Sequence, residues 1–167
     1  MLLKKVTIHK YKSFLTEQSY EVEPQITRIV GKNESGKTAL LEALAKSNYF
    51  EDNTEFQFNK DLDYPRSELI KVRNENPPAL TCEYELSDED ISRVENAFAK
   101  GIIPRKTFCV TSFYDNTSEA SGVEINFTVF KDWLISFFGV GDQGKKLIRT
   151  ADSFSTLESV VSENAEL

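Results

Sequence analysis

The feature that most constrains this chain is the octapeptide Gly-Lys-Asn-Glu-Ser-Gly-Lys-Thr at residues 31–38. It fits the pattern G-x-x-x-x-G-K-[ST] at every fixed position, and this pattern is typical of the P-loop that binds nucleoside triphosphates. Glycines at both ends let the backbone fold closely around a phosphate and point its amide donors inward. A chance match in a chain of this length has a probability on the order of 1%.

The flanking sequence supplies the strand–loop–helix setting that the motif requires. Residues 26–30 are apolar-rich and predict a short strand, and helix-forming residues follow from Lys37. We therefore predict ATP and Mg²⁺ as cofactors, with the Lys37 ammonium on the β- and γ-phosphates and the Thr38 hydroxyl on the metal. The predicted ATP-binding residues of the loop are Gly31, Lys32, Asn33, Glu34, Ser35, Gly36, Lys37 and Thr38.

The remaining patterns predict an α/β fold. Alternation of apolar and polar residues predicts strands at 2–10, 18–23 and 80–86, and a hairpin that pairs 108–113 with 123–130. Helices are predicted from Lys37 to about residue 48, from the capping Ser87 to about residue 100, and at 131–138, 143–150 and 152–166. Residues 49–78 are polar and marked by prolines, which predicts a long loop.

Composition narrows the class of protein. A chain of 167 residues with 40% hydrophobic residues suits one domain with a real core. The apolar runs fall far short of the ~20 residues that a membrane span needs, and no secretory signal is visible. Cys82 and Cys109 have no metal-binding spacing, which predicts free, buried thiols in a cytoplasmic protein. A net charge of −7 disfavours nucleic-acid binding over the whole surface.

Other classes of P-loop protein either disagree with the sequence or stay open as alternatives. A GTPase needs N-K-x-D, but the run Asn-Lys-Asp-Leu-Asp at 59–63 places its closing Asp one position late. A complete small P-loop kinase is an open alternative, although about thirty residues precede the loop here and such kinases usually begin with it. A regulatory module that binds the nucleotide without hydrolysing it also stays open.

Residues 1–45 resemble the opening of the ABC-type ATPase heads of the RecF, SMC and OLD-nuclease group. The run Tyr11-Lys12-Ser13-Phe14 matches the aromatic–basic–Ser–aromatic turn after the first strand of that group. Residues 26–44 match nearly all of I-x-x-I-x-G-x-N-x-x-G-K-[ST]-x-L-L-x-A-[IL]. A looser likeness over residues 55–90, from Phe58-Asn59-Lys60 through Asp63-Tyr64-Pro65-Arg66 into a strand, makes the OLD-type ATPases the most similar.

The resemblance implies a fold and additional site residues. It implies that residues 1–150 are the N-terminal lobe of an ABC-type head with a mixed, partly antiparallel sheet. The helix within 151–167 then either packs back on the head or starts a coiled-coil or dimerisation insert. By the same resemblance, Asn33 approaches the γ-phosphate or the attacking water, and Lys12 and Ser13 lie near the phosphates or ribose.

The departures from the group concern catalysis. The chain shows no L-S-G-G signature and no run of four apolar residues followed by Asp-Glu, and its single histidine, His9, lies in the first predicted strand. Gln57 and Gln143 are both candidates for the Q-loop residue, and the sequence does not choose between them. Since the signature and the Asp-Glu pair are missing, no catalytic residue is assigned. The resemblance implies several partners: the C-terminal half of the head, a second copy in a homodimer, DNA, and a nuclease domain or subunit. We expect this chain alone not to turn over ATP. In ABC-type heads the C-terminal half and the second copy supply the second metal-binding carboxylate, the residue that orients the water and the groups that meet the transition-state charge.

Overall fold

A computed structural model describes residues 1–33, 35–49 and 56–163. The strands are β1 (Leu2–Ile8), β2 (Gln18–Glu21), β3 (Pro78–Glu85), β4 (Thr107–Phe113) and β5 (Ser118–Ser121). The helices are α1 (Lys37–Tyr49), α2 (Lys60–Asp63), α3 (Asp88–Ala97), α4 (Phe127–Phe138), α5 (Asp142–Thr150) and α6 (Phe154–Glu163), with a 3-10 helix at Leu69–Val72. Glu34 of the P-loop and the last residues of the helix predicted at 152–166 lie outside the described residues.

The first of two compact units contains Met1–Leu86 and Thr107–Val123. Its five strands form one sheet in the order β2-β1-β3-β4-β5, and each neighbouring pair is antiparallel. Val6 pairs with Tyr20 on one side and with Cys82 on the other, so β1 lies inside the sheet. The predicted α/β fold class is confirmed, with antiparallel pairing throughout these strands.

Helix α1 covers one face of this sheet because its apolar residues share one side. Leu40 and Ala43 are buried and belong to the same core as Ile8 and Leu80 from the sheet. The same core contains five buried aromatic side chains: Tyr11, Phe14, Phe58, Tyr64 and Tyr114. The core therefore lies directly under the helix that the P-loop begins.

The second unit contains Ser87–Lys106 and the chain from Glu124 onward, and its described elements are helices α3 to α6. A capping box formed by Ser87 and Asp90 starts α3, as the sequence predicts. The Asn126 side chain accepts a hydrogen bond from the Val129 amide and starts α4, and Gly139 ends α4 with a left-handed φ of 60°. One hydrophobic core cluster of this unit contains the buried residues Ile135, Val140, Ile148, Ala151 and Leu157.

Two predicted strands are wrong. Residues 26–30 form no strand, and Ile26 and Val30 are 70% and 87% exposed, because no described segment pairs with them in the sheet. The hairpin exists, but β4 pairs with β5 at 118–121 and not with 123–130. A tight turn at Asp115–Thr117, in which Asn116 has a φ of 65°, brings the chain back earlier than the apolar pattern suggests.

Both cysteines were predicted to be free, buried thiols. Cys82 is buried, Cys109 is half-buried, and both are free thiols. No helix in the described part of the chain is long and apolar enough to cross a membrane.

Candidate functional site

The P-loop leads directly into α1. The Leu40 amide donates to the Gly36 carbonyl at 2.9 Å, so the first turn of the helix begins on the last loop glycine. Gly36 has a φ of +90°, a conformation that residues with a side chain rarely adopt. The sharp entry into α1 therefore depends on a glycine at this position.

The two motif glycines have different surroundings. A Cβ on Gly36 would come within 2.8 Å of the Phe14 ring and 3.1 Å of the Ser13 hydroxyl oxygen. A Cβ on Gly31 would come within 2.6 Å of the Ser35 hydroxyl oxygen. A Cβ at Gly36 would therefore clash with a buried ring, whereas the Ser35 hydroxyl could rotate away from a Cβ at Gly31.

The Lys37 side chain folds over this loop. Its Nζ donates to the carbonyl oxygens of Gly31 at 2.8 Å and Lys32 at 2.6 Å, and it lies 3.5 Å from the Ser35 Oγ. These contacts hold the ammonium at the mouth of the loop. Thr38, the next residue, is exposed on the first turn of α1, so its hydroxyl is accessible to a metal ion.

A second segment, the turn at Tyr11–Phe14, reaches the same place. The Tyr11 and Phe14 backbones exchange hydrogen bonds of 3.1 and 2.8 Å, and both side chains are buried. Lys12 between them has a φ of +48°, and its amide donates to the Asp63 carbonyl at 2.6 Å. A left-handed lysine persists only where its surroundings enforce it, and here the two buried rings and the bond to Asp63 do so. The turn consequently presents Lys12 and Ser13 on its exposed side.

Loop, helix and turn together line a cavity of about 410 Å³. Its walls are Lys12, Ser13, Asn33, Gly36, Lys37, Thr38, Ala39 and Glu42. Six of these were predicted as ATP-binding residues from the sequence. Gly31, Lys32 and Ser35 surround the Lys37 ammonium without lining the cavity, and Glu34 lies outside the described residues. Of the two Q-loop candidates, Gln57 is exposed and does not line the cavity, and Gln143 lies in α5 of the second unit.

The sequence prediction missed two residues of the cavity lining, Ala39 and Glu42, and of these Glu42 is charged. It follows Thr38 by four residues on α1, so both side chains lie on one face of the helix. Its two carboxylate oxygens each lie 2.5 Å from the Lys12 Nζ, and Lys46 Nζ lies 3.5 Å from Oε1. Burial alone would raise the pKa of the Glu42 carboxyl, but Lys12, Tyr11 and Lys46 together hold the pKa below its ordinary value.

Lys46 connects this pair to a buried carboxylate. Lys46 and Asp63 are 7% and 2% exposed, and the Lys46 ammonium donates to Asp63 Oδ2 at 2.6 Å. The Asp63 carboxylate also accepts from the Asn59 amide at 2.9 Å and from the Tyr11 hydroxyl at 3.5 Å. Burial raises the pKa of the Tyr11 phenol, so this hydroxyl stays a neutral donor. A polar network thus runs from the cavity at Lys12 through Glu42 and Lys46 to Asp63.

Two of three comparisons with known proteins give a match. A family model described as "AAA ATPase domain" matches residues 1–159. A solved structure described by the words "Structural biochemistry of ATP-driven dimerization and DNA stimulated activation of SMC ATPases" aligns with 98% of this chain and 99% of its own. That alignment has 15% sequence identity and a TM-score of 0.43. A comparison with the curated proteins gives no match.

Proposed function

This chain belongs to the AAA ATPase domain family, and from that premise we propose that it binds ATP together with Mg²⁺ in the 410 Å³ cavity. The observation that carries the proposal is the meeting of two separate segments in one cavity. Lys37 and Thr38 come from the P-loop helix, and Lys12 and Ser13 come from the turn after β1.

Each side chain has a chemical role that follows from its type. Lys37 supplies a point charge for the β- and γ-phosphates, and the loop amides supply neutral donors. The Thr38 hydroxyl is a hard oxygen ligand of the kind that Mg²⁺ takes up alongside phosphate oxygens. Lys12 and Ser13 add a second cation and a hydroxyl from the turn after β1, and Asn33 adds a side-chain amide that would suit the terminal phosphate.

A thermal unfolding experiment with two nucleotides tests this proposal. The loop is suited to the β- and γ-phosphates, so ATP with Mg²⁺ should raise the melting temperature in a concentration-dependent way. AMP, which has the same base and ribose but lacks those phosphates, should raise it little at equal concentration. Equal shifts of the melting temperature with ATP and AMP, or no shift with ATP at millimolar concentration, would contradict the proposal.

The resemblance of residues 1–45 to the RecF, SMC and OLD-nuclease group supports a further part of the proposal. We propose that the domain acts as part of an ABC-type head that pairs with a second copy on binding ATP. That pairing would then gate the processing of DNA, with a nuclease domain or subunit as the effector. The residues that support this part are the Tyr11–Phe14 turn and Asn33, which match the pattern of the group at the cavity itself.

Sedimentation measurements test the pairing. Mg²⁺ and ATP should convert the protein from monomer to dimer, and a Lys37→Ala variant should stay monomeric because it lacks the phosphate contact. Addition of a DNA duplex should then shift the sedimentation of the ATP-bound form more than that of the protein without nucleotide. A wild-type protein that binds ATP and stays monomeric at all concentrations would contradict this part and leave ATP binding intact.

A further inference from the structure

We propose that Glu42 is a positioning residue that competes with the nucleotide phosphates for the Lys12 ammonium, and so sets the affinity of the cavity. This inference rests on the proposed function. It concerns a carboxylate that lines a cavity built for an anion, where an unpaired negative charge would repel the ligand.

The geometry makes Lys12 a shared cation. Its ammonium contacts both oxygens of Glu42 at 2.5 Å, and it lines the same cavity as Lys37. The backbone of Lys12 is held by its bond to Asp63 and by the buried neighbours on either side, so only the side chain can change partner. A phosphate oxygen and the Glu42 carboxylate are therefore alternative acceptors for one ammonium.

Lys46 and Asp63 make it unfavourable for Lys12 to exchange Glu42 for a phosphate. If Lys12 turns to a phosphate, Glu42 keeps the Lys46 ammonium, which lies 3.5 Å away, and the neutral hydroxyl of Tyr11. Lys46 is already paired with the buried Asp63 at 2.6 Å, so two carboxylates then share one cation. The unfavourable separation of Lys12 from Glu42 consequently offsets part of the favourable free energy of the Lys12–phosphate contact. Removing the Glu42 charge should remove that cost and the repulsion together.

The variant Glu42→Gln tests the inference through affinity. Glutamine keeps the shape of the side chain and removes its charge, so ATP with Mg²⁺ should bind about two- to five-fold more tightly, the range of a partly exposed ion pair. Glu68→Gln is the matched control: Glu68 is also paired with two lysines, Lys10 at 3.1 Å and Lys71 at 3.0 Å, and does not line the cavity. This control should leave the affinity within error at physiological salt. An unchanged or weaker affinity in Glu42→Gln, or an equal gain in both variants, would overturn the inference.

A second measurement separates competition from a merely structural ion pair. Melting temperatures of the wild type, Lys12→Met, Glu42→Gln and the double variant give the coupling between the two side chains. In buffer without nucleotide the pair should show a stabilising coupling, and saturating ATP with Mg²⁺ should reduce it. A coupling that ATP leaves unchanged would mean that Lys12 never leaves Glu42, and the inference would be wrong.

Different results would contradict ATP binding in the cavity and the competition of Glu42 for Lys12. If wild type and Lys37→Ala bind ATP equally, or neither binds it, the proposed function fails before Glu42 is considered. If binding depends on Lys37 but Glu42→Gln does not tighten it, only the competition is wrong.

Discussion

The edge of the Phe14 ring lies 2.8 Å from the position that a Cβ atom on Gly36 would take. Since Phe14 is buried and its backbone is bonded to Tyr11, the ring cannot move away easily. The Tyr11–Phe14 turn can therefore pack this closely against the P-loop only because residue 36 is a glycine.

Replacing that glycine should disrupt the fit. Gly36→Ala would combine a strained positive φ with a clash against an immobile ring, and we expect a loss of about 2–4 kcal/mol in the free energy of unfolding. Gly122→Ala is the control, because Gly122 has a φ of +73° but only ordinary contacts, the nearest being the Phe108 Cα at 3.7 Å. Urea unfolding of both variants measures the difference. Equal losses would show that backbone strain alone accounts for the glycine.

The buried ion pair of Lys46 and Asp63 predicts a large effect on stability. Asp63→Ala would leave the 7%-exposed Lys46 ammonium without its nearest partner, and removing one member of a buried pair costs about 3–5 kcal/mol. Asp61→Ala, on the same short helix but exposed, should cost less than about 1 kcal/mol. Chemical denaturation gives both values. A mild effect in Asp63→Ala would mean that Glu42 or water compensates for Lys46.

Lys12 should contribute to nucleotide affinity, while Lys4 and Lys5 should not. Lys12→Ala removes a cation from the cavity and leaves Glu42 facing the phosphates, so the affinity for ATP should fall on the order of tenfold. Lys4 lies on β1 and pairs with Glu85 at 3.3 Å, away from the cavity lining. Binding assays at low and physiological salt separate the cases. Equal losses in the Lys12→Ala, Lys4→Ala and Lys5→Ala variants, confined to low salt, would indicate general screening of charge.

The single histidine predicts a pH dependence of stability. Burial lowers the pKa of His9 below its ordinary 6.5, and the Glu17 carboxylate 3.0 Å from Nδ1 only partly opposes this. Between the folded pKa and 6.5 the unfolded chain binds more protons, so this contribution to stability is complete above pH 6.5 and is lost as the pH falls through the folded pKa. His9→Gln should flatten that part of the stability curve. An NMR titration checks it directly, and a folded pKa above 6.5 would contradict the prediction.

More of the cavity lining than of the sheet could be predicted from the sequence. The P-loop is a local motif, and Lys12 and Ser13, which line the same cavity, were predicted through the resemblance of the Tyr11–Phe14 turn. Glu42 was missed because a glutamate on a helix is ordinarily a solvated residue. Its position four residues after Thr38 was the available signal, since such residues share a helix face.

The wrong strands have a physical explanation as well. The apolar-rich segment at 26–30 suits a strand, but pairing depends on a neighbouring strand that local sequence does not specify. The apolar run at Phe127–Phe130 was assigned to a strand, yet the Asn126 cap and the Gly139 stop place it in α4. Both errors arise where an apolar run is too short for its periodicity to separate helix from strand.

The most direct test of the account is a titration of ATP with Mg²⁺ into wild type, Lys37→Ala and Thr38→Ala. Loss of a charge-assisted phosphate contact costs about 1.5–3 kcal/mol, so Lys37→Ala should bind roughly ten- to hundred-fold more weakly. Thr38→Ala should lose affinity only when Mg²⁺ is present, because its hydroxyl acts through the metal. The exposed Lys71→Ala serves as the control for the loss of one positive charge. Equal affinities in wild type and both P-loop variants would contradict nucleotide binding in this cavity.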